Sequence, residues 1–136
     1  MNGALAIQYL LANNAGFNSL VGTNSRDARI AYVELDQKTV TPCCVITGDS
    51  VEPTDTKDGV STLDFDHVYV THFASTYKEV AALASAARAA LDRKSGTYNG
   101  VTVVSIRYMD ERDSSEFLVD GKKVTKEQLY QVMTTN

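Results

Sequence analysis

Few side chains in this sequence have the means to do chemistry, and their spacing works against them. His67 and His72 stand five apart in the run LDFDHVYVTHF (63–73). Strand residues alternate between faces, so an odd spacing puts the two imidazoles on opposite sides, where they cannot share a metal. Each reads as a surface or hydrogen-bonded histidine. Cys43 and Cys44 are neighbours. On a strand they also point apart, so they close no ordinary disulfide and chelate nothing together. They read as two small hydrophobes. Asp110, Glu111, Arg112 and Asp113 offer carboxylates for acid–base work. Catalytic carboxyls are tuned by burial, however, and four consecutive charged residues read as a solvated corner. There is no Gly-rich phosphate loop, no GxSxG and no HExxH. The residues predict no catalytic, cofactor-binding or metal site.

The elements that would position any site are clearer. Residues 75–96, STYKEVAALASAARAALDRKSG, predict one amphipathic helix. Thr76 and Glu79 form a capping box, and Val80, Leu83, Ala84, Ala87 and Leu91 fall on one side. Arg93 and Lys94 suit the negative end of the helix dipole, and Gly96 is positioned to supply a left-handed exit. A stripe half made of alanine lets a backbone approach closely, so this helix is expected to lie flat on a sheet. Residues 3–13 predict a shorter first helix with Ala4, Ile7, Leu10 and Leu11 inward, and Phe17, Leu20 and Val21 one further apolar turn. Strands are expected over Arg29–Leu35, from Pro42 through CCVITG, over Leu63–Phe73 and over Val101–Met109. The polar stretch 49–62, DSVEPTDTKDGVST, reads as a long hairpin loop, and DERDSSE (110–116) as a charged bend. Asp120-Gly121 is a hairpin signal, and QLYQVMTT after it alternates like a strand but could also make two helical turns.

With 136 residues and no linker or repeat, the chain reads as one domain, 1–136. A net charge of −4 argues against gripping nucleic acid, although it permits a ring through which DNA passes. No apolar run reaches the length of a membrane span, and the start MNGALAIQYLL lacks the basic n-region of a signal peptide. Folding in a cytoplasm is the expectation.

TPCCVI, SVEPTDTKDGVST, DFDHVYVTHFASTYKEVAALASAARAALD and GVTVVSIRYMDERD, in that order, resemble the phage tail-completion family, the tail terminators related to the minor tail protein U type. The likeness covers roughly residues 3–113. It implies an α+β fold: a mainly antiparallel sheet with one long Ala-rich helix and a shorter N-terminal helix packed on it. It also implies a structural virion protein whose homohexameric ring caps the head-proximal end of the tail tube, stops elongation and offers the head–tail joining face. The implied partners are other copies of the chain, the tail tube protein and a head-proximal connector or neck protein; DNA would pass through without specific binding, and no membrane is involved. The loop and the strand running into Glu-Arg-Asp are expected to carry the contacts, through Glu52, Pro53, Asp55, Lys57, Asp58, Arg107, Glu111 and Arg112. The alternatives are a head-side neck or stopper protein, and a small cytoplasmic ligand-binding α+β module, which would show a concave apolar pocket with convergent polar groups.

Overall fold

The computed structural model describes residues 2–21, 30–32, 43–53, 63–118 and 121–135. It is an α+β fold. Helices α1 (Asn2–Ala12) and α2 (Ala15–Val21) open the chain. Strands β1 (Ile30–Tyr32), β2 (Cys43–Pro53) and β3 (Leu63–Ala74) follow, then helix α3 (Tyr77–Leu91), then β4 (Gly96–Tyr98), β5 (Val101–Leu118) and β6 (Gly121–Thr135). The described strands form one sheet in the order β1-β2-β3-β6-β5-β4. Every neighbouring pair is antiparallel except β1 with β2. The two longest strands, β5 and β6, are antiparallel partners whose register ends at Leu118 opposite Gly121; Asp120 of the expected Asp120-Gly121 turn lies outside the described residues.

The core lies between one face of the sheet and the helices. α3 buries Val80, Leu83, Ala84, Ala87, Ala90 and Leu91. Ala84 and Ala87, at 2% and 0% exposed, confirm the close alanine contact with the sheet. α1 adds Ala4, Ala6, Ile7 and Leu11, and Phe17 of α2 is wholly buried while Leu20 is exposed. On β3 the alternation holds without a break: Asp66, Val68, Val70, His72 and Ala74 face the helices. The carboxylate of Asp66 takes one of the N–H groups of the first turn of α1, with Gly3 N donating to Asp66 Oδ2 at 2.6 Å. A Cβ on Gly3 would stand 2.9 Å from Asp66 Cβ, so only glycine lets the helix come this close.

Four expectations need correction. The polar stretch 49–62 is not a loop throughout, because β2 continues to Pro53, past an irregularity between Gly48 and Ser50; residues 54–62 lie outside the described residues. DERDSSE is not a bend but part of the second half of β5. Gly96 does not end the long helix. α3 stops at Leu91, leaving Arg93 and Lys94 beyond its last turn, and the left-handed position is Arg93, with φ 62°. Its conformation is held by the Arg93 N–H, which bonds the Ile106 carbonyl at 2.8 Å. At the other end the Thr76 hydroxyl accepts the Glu79 N–H at 3.2 Å, as the capping box requires. The open tail question is settled as strand, and β6 sits between β3 and β5 inside the sheet. The expected Arg29–Leu35 strand is seen as Ile30–Tyr32, its remainder lying outside the described residues, as does Pro42.

Candidate interaction surface

Two bulges decide what β5 presents. Its register against β6 slips between Val103 and Ser105 and again between Tyr108 and Asp110. Each slip leaves one residue, Val104 and then Met109, without a cross-strand partner and reverses the alternation. The residues opposite the helix-facing positions of β6 are therefore Val103, Ile106, Tyr108, Glu111 and Asp113. Arg107, opposite Gln131, and Arg112, opposite Glu127, share the other face. Of the expected contact residues, then, Glu111 is separated from the two arginines by the thickness of the sheet. Glu52 and Pro53 lie at the end of β2, opposite Phe65 and Asp64. Asp55, Lys57 and Asp58 fall outside the described residues.

On the helix side, Glu111 joins a polar lattice built around the buried Lys126 and Gln128. Lys126, whose side chain is only 8% exposed, meets Asp113 at 2.6 Å and Glu111 at 3.3 Å. Its ammonium also donates to the Tyr77 hydroxyl at 3.3 Å, and that hydroxyl donates to Asp113 at 3.3 Å. Burial alone would make Lys126 easier to deprotonate, but Asp113, Tyr77 and Glu111 together push it well above the ordinary lysine range. Burial likewise opposes charge on Glu111, and the hydrogen bonds from Gln128 and Lys126 outweigh it, holding the carboxyl below its usual value. Asp113 is lowered chiefly by its bond from Lys126. Gln128 is fully used. Its Nε2 donates to the Ala84 carbonyl at 3.0 Å and to Glu111 at 2.9 Å. Its Oε1 accepts from the Tyr130 hydroxyl at 3.0 Å and meets His72 Nε2 at 2.8 Å. Because the Ala84 carbonyl fixes which end of the amide is the donor, His72 carries its proton on Nε2. Its Nδ1 has no hydrogen-bond partner. His67 is half-buried and pairs across the strands with Gln131, on the other side of the sheet from His72, as the odd spacing predicts. Cys43 and Cys44 are buried and form no disulfide, and burial pushes the Cys44 thiol far above its ordinary range.

At the outer edge of β5 the character changes. A cleft of about 440 Å³ opens between the end of α3 and Ser105–Tyr108, lined on the helix side by Arg88, Asp92 and Arg93. The Arg88 guanidinium lies 4.0 Å above the Tyr108 ring and 3.9 Å from Asp92. Asp92 also accepts the Tyr108 N–H at 3.2 Å, so the two walls are stapled by Asp92 and by the Arg93–Ile106 bond. Arg93 and Arg107 are exposed. Neither makes an ion pair among the described residues, and the cleft therefore presents guanidinium groups with unused donors.

Sequence reasoning passed over Lys126, Gln128, Arg88 and Arg93. For the first two a signal was present: Val124, Lys126, Gln128, Tyr130 and Val132 share one parity, so a strand burying Tyr130 and Val132 carries both polar residues inward. For the arginines there was none, since their convergence depends on the bulges and the turn at Arg93. Among the described residues no group of three His, Cys, Asp or Glu side chains could hold a metal ion, and no helix is long and apolar enough to cross a membrane.

No protein-family model and no curated protein matches the chain. Its fold is shared with a solved structure. A chain from the virion of a native gene transfer agent (GTA) particle superposes with a TM-score of 0.68, covering 98% of this chain and 94% of that one. Identity is 12%. The common property is therefore the architecture over almost the whole length of both chains.

Proposed function

We propose that the chain is a structural subunit of a phage-like virion, and within it the tail terminator. Copies close into a homohexameric ring at the head-proximal end of the tail tube, stop its growth and form the joining face for a connector or neck protein. The observation that carries the virion reading is the end-to-end likeness to a chain of the gene transfer agent virion. The narrower role rests on the ordered likeness of residues 3–113 to the tail-completion family. Physical features agree with a subunit that works by contact rather than catalysis. Among the described residues, the acids of β5 are engaged in ion pairs and hydrogen bonds, Glu111 and Asp113 with Lys126 and Gln128 and Asp110 with Arg112. A net charge of −4 suits a passage that lets DNA through without holding it.

Each ring contact can be weak, because six act together in a closed assembly. Removing the gene is expected to leave filled heads without tails and tubes of uncontrolled length in lysates. Purified protein added to fresh tubes should restore a fixed length and head joining. Normal tailed particles from the deletion strain would refute the terminator role, and tubes of correct length that fail only at head joining would move the protein to the head-side neck.

A further inference from the structure

Among the described residues, two flanks of the sheet lie open at the same height. Glu52 of β2 pairs with Phe65, Phe65 with Met133, and Met133 with Ser105 of β5. Ser50, His67, Gln131 and Arg107 form the next row on the same face. β1 covers β2 only from Cys44 to Ile46, and β4 covers β5 only from Val101 to Val103. Among the described residues, β2 from Thr47 onward and β5 beyond Val103 thus have no outer strand neighbour; only the Asp92 and Arg93 bonds touch that β5 edge. These edges face opposite ways at one level, and unpaired edges are the positions where a second chain docks.

Their charges are opposite. The β5 flank holds Arg88, Arg93 and Arg107 around the cleft, with Asp92 the acid among them. β2 carries Asp49 and Glu52 with no basic residue between Cys43 and Pro53, and the sequence that follows, TDTKD (54–58), outside the described residues, adds Asp55 and Asp58 against Lys57. We propose that the arginine cleft is the docking site for the acidic 49–58 stretch of a second copy of this chain, placed beside the first and facing the same way. The inference rests on the ring reading and names its contact. A contact of this kind is heterologous: each copy offers one basic and one acidic flank, so rotation closes a ring without a special end subunit. It also explains how a chain of net charge −4 associates with itself, since complementary patches override the overall repulsion at close range.

The test is a pair of charge reversals, Arg93→Glu with Arg107→Glu, and Glu52→Arg with Asp55→Arg. Both are made in the full chain, with circular dichroism and thermal melting to establish folding. Self-association is read by sedimentation velocity and native mass spectrometry at low and high salt. Each reversed protein alone is expected to associate at least about tenfold more weakly than wild type. An equimolar mixture of the two should recover assembly, because one partner then has two acidic flanks and the other two basic ones. Recovery should fade with salt. Folded reversals that assemble like wild type, or a mixture that fails while wild type assembles, overturn the contact and leave the ring reading standing. If the arginine reversals instead abolish binding of a labelled DNA duplex and spare self-association, the cleft is a phosphate site and the proposal is wrong. Recovery of open filaments in place of rings keeps the contact and removes the ring. A wild type that stays monomeric at high concentration and on tubes overturns both.

Discussion

His72 makes the stability of this fold depend on pH in a direction that the structure fixes. The ring is completely buried, edge-on to Phe17, with Nε2 committed to Gln128 and Nδ1 facing no acceptor. Protonation would place a new N–H, and a charge, where nothing receives it. Burial therefore lowers its pKa from 6.5 to about 4, against the smaller upward pulls of the Gln128 bond and the Glu111 charge, while Lys126 pushes the same way as burial. Below pH 6.5 the unfolded chain takes up a proton that the folded chain refuses until about pH 4. The contribution is thus complete above 6.5 and is lost as pH falls between these values. Taking the linkage from pH 7.5 to 4.5, the loss comes to roughly 2–3 kcal/mol. Urea unfolding of wild type and His72→Gln at the two pH values isolates it, since glutamine can donate to Gln128 but does not titrate in this range. Wild type should lose about 2–3 kcal/mol more than the variant on acidification. Equal losses in the two proteins would mean that His72 is solvated or already charged in the fold, and the reasoning from its orphan nitrogen would be wrong.

Gly3→Ala should cost about 1–3 kcal/mol in denaturant unfolding, because the new methyl meets Asp66 at the start of α1; unchanged stability would show that the helix end is free to shift. Ala84→Leu or Ala87→Leu should cost about 1–3 kcal/mol by overpacking the helix–sheet contact, and a melting temperature at or above wild type would refute the close approach. Lys126→Met should cost only about 1–2 kcal/mol, since the carboxylates of Asp113 and Glu111 keep partial access to water. Lys126→Glu, which crowds three carboxylates, should unfold the protein at neutral pH by the same assay and recover stability in acid. Treatment with a chelator should leave thermal stability unchanged, and stoichiometric zinc in purified protein would contradict the reading of His67, His72, Cys43 and Cys44.

Legibility in the sequence followed periodicity. The Ala-rich helix was readable to its cap because Thr76, Glu79 and the Val80–Leu91 stripe obey one period, and β3 was readable because its alternation never slips. The acidic half of β5 was not. Both bulges lie before Asp110 and the register through DERDSSE is regular, but all seven of its residues are polar, so no apolar alternation marks the strand, and a run of charges without that pattern looks like a bend. The end of β2 was hidden in the same way, its register breaking beside Gly48 just where proline and acids begin to suggest a loop. Gly96 misled for another reason. Glycine is the usual left-handed residue, but here a backbone bond to Ile106 holds Arg93 in that conformation, an effect of tertiary contact that no local rule contains. The proposed contact residues were legible only as a polar stretch and a charged strand. Which of them share a face depends on counting residues through two irregularities.

That count has a consequence of its own. Between Val103 and Leu118 the outer strand has two more residues than its partner has between Gly121 and Thr134. A hairpin with unequal lanes must bend, as the outer rail of a curved track is longer than the inner. The curl of this edge is therefore written in arithmetic, and Val104 and Met109 supply the extra length whatever their side chains are. Almost every other residue of the strand can be exchanged without straightening it, whereas removing those two positions would flatten it even if all others were kept. Shape held by number rather than by identity is free to outlast sequence.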